Sequence, residues 1–152
     1  MRTLIHQLKY NEMTKIATYL GEKGIEYLRR HNPFPDVDYI CPVPLHPTKA
    51  RARGYNQAAL ITKKIASYYS WNYRPKIIKR KKYTQRQSNL SPEERKLNVS
   101  RAFSIDRKGM SSDSNILIID DVFTTGATVN SICRLLKKQL DGKIYVLTIA
   151  RA

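Results

Sequence analysis

The stretch that decides the fold is Ile116-Leu117-Ile118-Ile119-Asp120-Asp121-Val122-Phe123-Thr124-Thr125-Gly126-Ala127-Thr128. Its four leading aliphatic residues make a short unbroken apolar run, the pattern of a strand buried on both faces. Two adjacent carboxylates follow, then small hydroxyl residues around a glycine. From Val129 a helical period begins, with Val129, Ile132, Cys133, Leu136 and Leu140 three or four apart. The stretch therefore reads strand, acidic pair, phosphate-sized loop, helix.

A loop that runs into a helix N-terminus presents unpaired N–H groups and the positive end of the helix dipole, which together suit a phosphate. Thr124, Thr125 and Thr128 add hydroxyl donors, while Gly126 and Ala127 let the backbone come close to a ligand. Asp120 and Asp121 fall at the carboxyl end of a parallel strand, where open α/β sheets bind ligands. Ionised Asp repels phosphate, but it accepts hydrogen bonds from sugar hydroxyls and helps to hold Mg²⁺. A diol beside a phosphate fits both halves, as in a ribose 5-phosphate.

The same thirteen residues resemble the 5-phosphoribosyl 1-pyrophosphate (PRPP) signature of type I phosphoribosyltransferases: four apolar residues, two acidic, two apolar, then Thr-Thr-Gly-x-Thr. The resemblance implies a mainly parallel α/β sheet with flanking helices, with PRPP as ligand and Mg²⁺ as cofactor. It also implies transfer of the phosphoribosyl group with release of pyrophosphate. By that resemblance Asp120 and Asp121 hold the ribose hydroxyls and Mg²⁺, the latter mainly indirectly, and residues 124–128 anchor the 5-phosphate.

The chain has 152 residues, of which 41% are hydrophobic, the size and make-up of one globular domain. No apolar stretch approaches the roughly 20 residues that cross a bilayer, and no signal peptide opens the chain. Cys41 and Cys133 both lie in apolar patterns and form no C-x-x-C pair, so buried reduced thiols in a cytoplasmic protein are expected. Lys and Arg number 28 against 12 Asp and Glu, a net charge of +16 that attracts polyanions. Twelve of the cations lie between Arg74 and Lys108. With Tyr68, Tyr69, Trp71, Tyr73 and Tyr83 nearby, such a surface suits single-stranded nucleic acid; a solvated basic face is the plainer alternative.

Residues 1–35 read as helical packing elements, weakened at Gly21 and Gly24 and ended by Asn32-Pro33-Phe34-Pro35. Tyr39–Leu45 reads as the first strand, with Pro42 and Pro44 marking a strand end or an edge. Residues 46–55 read as a loop with three cations, Lys49, Arg51 and Arg53, and a helix is expected from about Asn56. The phosphoribosyltransferase resemblance makes this loop the pyrophosphate site, through Pro44, Leu45, His46, Lys49 and Arg53. Lys76–Lys79 and Ile144–Ile149 read as further strands. Residues 80–104 match in position the mobile lid of those enzymes, with Lys82, Arg86 and Gln87 in reach of pyrophosphate on closure, and Ser91-Pro92-Glu93-Glu94 reads as a helix start.

Val43-Pro44-Leu45-His46-Pro47, Arg53-Gly54-Tyr55-Asn56-Gln57-Ala58, and Thr84-Gln85-Arg86-Gln87-Ser88 with Glu94-Arg95-Lys96-Leu97-Asn98 narrow the resemblance to the ComF group, linked to DNA uptake in competent bacteria. It spans about residues 4–150. It implies partners beyond PRPP: single-stranded DNA, and other competence or DNA-processing proteins. Many ComF-like proteins carry a Cys-x-x-Cys zinc-binding segment ahead of a stretch like Leu4–Tyr10, and this chain starts at that stretch.

Overall fold

The computed structural model describes residues 14–45, 47–81 and 102–151, without the side chains of Thr14, Pro47, Lys49 and Arg53. In chain order the elements are α1 (Thr14–His31), β1 (Tyr39–Pro42), α2 (Pro47–Arg53), α3 (Gln57–Tyr69), β2 (Asn72–Tyr73), β3 (Ile78–Arg80), β4 (Phe103–Ile105), β5 (Ile116–Phe123), α4 (Ala127–Lys137) and β6 (Ile144–Arg151). The main sheet has the order β2-β1-β5-β6, with every pairing parallel. The α/β class read from the sequence therefore holds.

Ile116, Leu117, Ile118 and Ile119 are fully buried because β5 is an inner strand covered on both faces. Leu117 and Ile119 meet Ile40, Ile61, Ile65, Leu20 and Leu28, the core beneath α1 and α3. Ile116 and Ile118 meet Val129, Ile132 and Leu136 of α4, together with Ile77, Ile78 and Phe103. Burying one such side chain contributes about 1.5–3 kcal/mol, so this four-residue run anchors both cores.

Several elements differ from the sequence reading. β5 continues four residues beyond Ile119, because β6 runs alongside it as far as the Phe123–Arg151 pair. β1 stops at Pro42 rather than Leu45 and lies inside the sheet. The proline is tolerated there because its missing N–H faces β2, which ends opposite Ile40 at Tyr73. Lys76–Lys79 does not join the main sheet: β3 begins at Ile78 and pairs antiparallel with β4 in a separate two-stranded sheet over the α4 face.

Residues 47–53 form a short helix instead of a loop, which Pro at the first position and two alanines favour. α1 runs unbroken through Gly21 and Gly24, and these glycines serve packing instead. A Cβ on Gly21 would stand 2.8 Å from Lys64 Cγ, and one on Gly24 3.0 Å from Ile65 Cδ1, so α1 comes closer to α3 than alanines would allow. The helix ends as read, at His31, with Asn32 at φ 39°.

Of residues 80–104, Arg80 closes β3 and Phe103 and Ser104 belong to β4. The rest of that segment from Lys82 to Arg101 lies outside the described residues, and with it Lys82, Arg86, Gln87, Tyr83 and the expected helix start at Ser91.

Candidate functional site

β1 and β5 are parallel neighbours, so the chains leaving them emerge side by side at one end of the sheet. Their last ladder bond runs from the Val43 amide to Ile119 O at 2.8 Å. From there one chain continues into Pro44 and Leu45, both half-buried, and the other into Asp120 and Asp121, also half-buried. The two segments expected to bind pyrophosphate and phosphoribose are thereby brought to the same edge.

Asp120 and Asp121 sit in β5 itself, with Asp120 opposite Thr148 of β6. Strand side chains alternate, so Asp120 continues the row of Ile116 and Ile118, and Asp121 the row of Leu117 and Ile119. The Asp121 amide donates to Asp120 Oδ1 at 3.0 Å, which restrains the first carboxylate.

The turn after β5 leads to Gly126, at φ 71° and ψ 0°, which precedes α4. An added Cβ there would lie 2.8 Å from Phe123 Cζ, so the Phe123 ring lies directly over the glycine backbone. Phe123 is thus a structural part of the loop that its apolar character alone did not reveal. No side chain caps α4 in the usual way. Among the described residues, the Ala127 amide meets the Thr125 hydroxyl, at a long 3.4 Å. Thr124 and Thr125 are exposed and Thr128 is half-buried, so hydroxyls surround a helix N-terminus that lacks a strong cap.

Beyond β1, Arg51 is exposed on α2, as is Thr48, while His46 and the side chains of Lys49 and Arg53 lie outside the described residues. The chain turns at Gly54, φ 76°, and enters α3 through Asn56. Asn56 is a residue the sequence reading quoted within a motif but gave no task.

Among the described residues, no group of three or more His, Cys, Asp or Glu gathers to hold a metal. Mg²⁺ does not require such a group: it is commonly held by one or two carboxylates, with waters and substrate phosphates as the other ligands. The oxygen donors of Asp120 and Asp121 fit that kind of site. Cys41 and Cys133 are free thiols, and burial pushes both upward, so both stay protonated at neutral pH. Cys41 is a buried core residue, as expected, while Cys133 is half-buried against the same core.

The aromatic group read as a nucleic-acid platform is mostly committed elsewhere. Tyr69 stacks on Trp71 with ring centroids 4.5 Å apart, and both pack with Tyr73 against the α1/α3 core. Tyr68 remains exposed; among the described residues the other large exposed aromatics are Tyr19 and Tyr27, on α1. No described helix is long and apolar enough to cross a membrane.

No family model matches the sequence. Individual proteins do. The chain is 38% identical over 114 residues to Competence protein F of Haemophilus influenzae, a match covering 74% of this chain and 50% of that protein. It is 31% identical over 153 residues to the DNA utilization protein YhgH of Salmonella typhi, covering 97% of this chain and 66% of that one. It thus spans between half and just under two thirds of these relatives' lengths.

Solved structures give the fold. Adenine phosphoribosyltransferase from Leishmania donovani matches with a TM-score of 0.55 at 16% identity, over 93% of this chain and 55% of that one. Glutamine PRPP amidotransferase from B. subtilis matches with a TM-score of 0.58 at 16% identity, over 88% and 26%. Taken with the sequence likeness, these show a chain similar to the ComF and YhgH proteins and built on the type I phosphoribosyltransferase fold.

Proposed function

We propose that this chain binds PRPP together with Mg²⁺ and transfers the 5-phosphoribosyl group to an acceptor nucleophile, releasing pyrophosphate. One observation carries the reading. The acidic pair lies in β5 with the weakly capped α4 N-terminus after it, the basic α2 segment follows the parallel neighbour β1, and both open at the same end of the sheet.

In this reading the amides at the start of α4 and the hydroxyls of Thr124, Thr125 and Thr128 hold the 5-phosphate. Asp120 and Asp121 accept hydrogen bonds from the ribose hydroxyls. Arg51, Lys49 and Arg53 supply positive charge beside Pro44, Leu45 and His46, where pyrophosphate sits. The C1–O bond breaks with its electron pair leaving on pyrophosphate, and the acceptor's lone pair forms the new bond to C1. A bound Mg²⁺ neutralises charge on the pyrophosphate oxygens. The chain contributes placement of the sugar and electrostatic stabilisation: cations near the leaving group, carboxylates near the positive charge that develops on the ribose. Lys82, Arg86 and Gln87, which lie outside the described residues, are assigned to pyrophosphate by the family resemblance alone.

Calorimetric titration of PRPP with Mg²⁺ into the protein tests the reading. Saturable binding that requires Mg²⁺ is expected; an absence of heat and of any thermal stabilisation by PRPP would remove it.

A second reading is favoured by the +16 charge and by the likeness to Competence protein F and the DNA utilization protein YhgH. Here the chain also binds single-stranded DNA, and PRPP bound at the site alters that binding. Tyr19 and Tyr27, 45% and 47% exposed, flank Lys23 at four-residue spacing on α1, with Lys23 Nζ 5.8 Å from the Tyr19 ring centre. Tyrosines interleaved with a cation suit stacked bases and a phosphate backbone. Affinity for a short oligonucleotide is expected to fall log-linearly as salt rises. Anisotropy showing no binding at low ionic strength, or binding indifferent to salt, would count against this reading.

A further inference from the structure

Val43 carries the only backbone N–H between Cys41 and Leu45, because Pro42 and Pro44 have none. Both of its polar backbone groups are held. Its amide donates to Ile119 O at 2.8 Å, and its carbonyl accepts from Asn56 Nδ2 at 3.0 Å. The first bond belongs to the sheet. The second comes from thirteen residues further along the chain, at the start of α3.

Asn56 is itself fixed. Its Oδ1 accepts from the Ala58 amide at 3.1 Å, capping α3, and its carbonyl accepts from the Leu60 amide at 3.1 Å. The next two residues, Gln57 and Ala58, are 1% and 3% exposed, so the first turn of the helix is set in the core. One carboxamide thus acts at both ends: its oxygen closes the helix, and its nitrogen holds the last residue before Pro44. Asp can supply the cap but not the donor. Ser also caps, yet its shorter side chain cannot span from the cap to Val43 O.

We infer that Asn56 is a positioning residue for the pyrophosphate segment, setting the direction in which Pro44 and Leu45 leave the sheet; this rests on the PRPP reading above. The 5-phosphate end of the site, at α4, is built from other elements and does not depend on it. The consequence is selective: disturbing Asn56 affects the pyrophosphate half and spares the ribose-phosphate half.

The test is calorimetric titration of Mg²⁺-pyrophosphate, and separately of ribose 5-phosphate, into wild type, Asn56→Asp and Asn56→Ser. Both variants keep the cap and are expected to melt close to wild type. Pyrophosphate should bind about tenfold more weakly to each, the size of one lost hydrogen bond, while ribose 5-phosphate stays within about twofold. The uncharged Ser variant separates loss of the strut from the repulsion that a new carboxylate adds. Equal weakening of both ligands, or unchanged pyrophosphate affinity in the Ser variant, would overturn the inference. Wild-type protein that binds neither ligand would overturn the PRPP reading itself, and the inference with it. Wild type that binds ribose 5-phosphate but not pyrophosphate would overturn the inference alone.

Discussion

The Asp120→Asn/Asp121→Asn protein is expected to fold like wild type and to bind PRPP at least about a hundredfold more weakly, since two charge-assisted hydrogen bonds are worth about 1.5–3 kcal/mol each. Folding should survive because the bond from the Asp121 amide to Asp120 Oδ1 can be kept by the amide oxygen of an Asn at 120. The apolar anchors Ile116–Ile119 are untouched. Binding should not survive, because a carboxamide offers its ligand one acceptor oxygen in place of two and carries no charge to assist the bond. The loss should also extend to ribose 5-phosphate, which presents the same hydroxyls, and should spare pyrophosphate titrated without Mg²⁺, the ion these carboxylates help to hold. That pattern is the reverse of the one expected at Asn56. Double-Asn protein that melts normally and keeps wild-type PRPP affinity would show that the acidic pair has no role in binding.

Opposite patterns from these two sets of variants would identify the two halves of the site independently, which matters because the acceptor is unknown. Measurements of turnover need an acceptor; binding of the two PRPP fragments does not. The fold makes the separation possible, since one half hangs from β1 and α3 and the other from β5 and α4.

The site was more legible in the sequence than the frame around it, for local reasons. Four consecutive aliphatic residues in a strand are covered on both sides only when that strand lies inside the sheet, so the inner place of β5 could be read once the flanking turn marked the run as a strand. The glycine-centred turn and the helical spacing from Val129 were equally local. The far end of β5 was not: Asp120 and Asp121 have low strand propensity, and only the presence of β6 alongside, out to Arg151, keeps them extended. Gly21 and Gly24 show the same limit. Propensity marks them as weak points, whereas their close approach to Lys64 and Ile65 makes them packing positions within an unbroken helix. β3 was expected as a strand, but its separate sheet and its partner β4 were not, because the pairing joins residues 78–80 to residues 103–105, far apart in the chain. Asn56 stood within a quoted motif, but its bond to Val43 O is tertiary and no spacing rule announces it.

Gly126→Ala should separate backbone geometry from chemistry at the phosphate loop. Gly126 occupies left-handed backbone space, φ 71°, where a non-glycine residue costs about 1–3 kcal/mol. Gly109 occupies nearly the same conformation, φ 72°, but a Cβ there would meet nothing within 4 Å. Gly109→Ala therefore measures the conformational cost alone. At Gly126 the added methyl also meets Phe123 Cζ at 2.8 Å and Cε2 at 2.9 Å, distances that real Cβ atoms do not tolerate. Either the Phe123 ring or the turn must move, and the turn carries the first amides of α4. Gly126→Ala is thus expected to melt lower than Gly109→Ala and to weaken ribose 5-phosphate binding by about tenfold or more, since a well-placed helix terminus contributes up to about 2 kcal/mol toward an anion. Gly109→Ala should leave that affinity unchanged. Should Gly126→Ala match Gly109→Ala in melting and bind ribose 5-phosphate as wild type does, the phosphate would have to sit away from the α4 N-terminus, and residues 124–128 would be a packing turn.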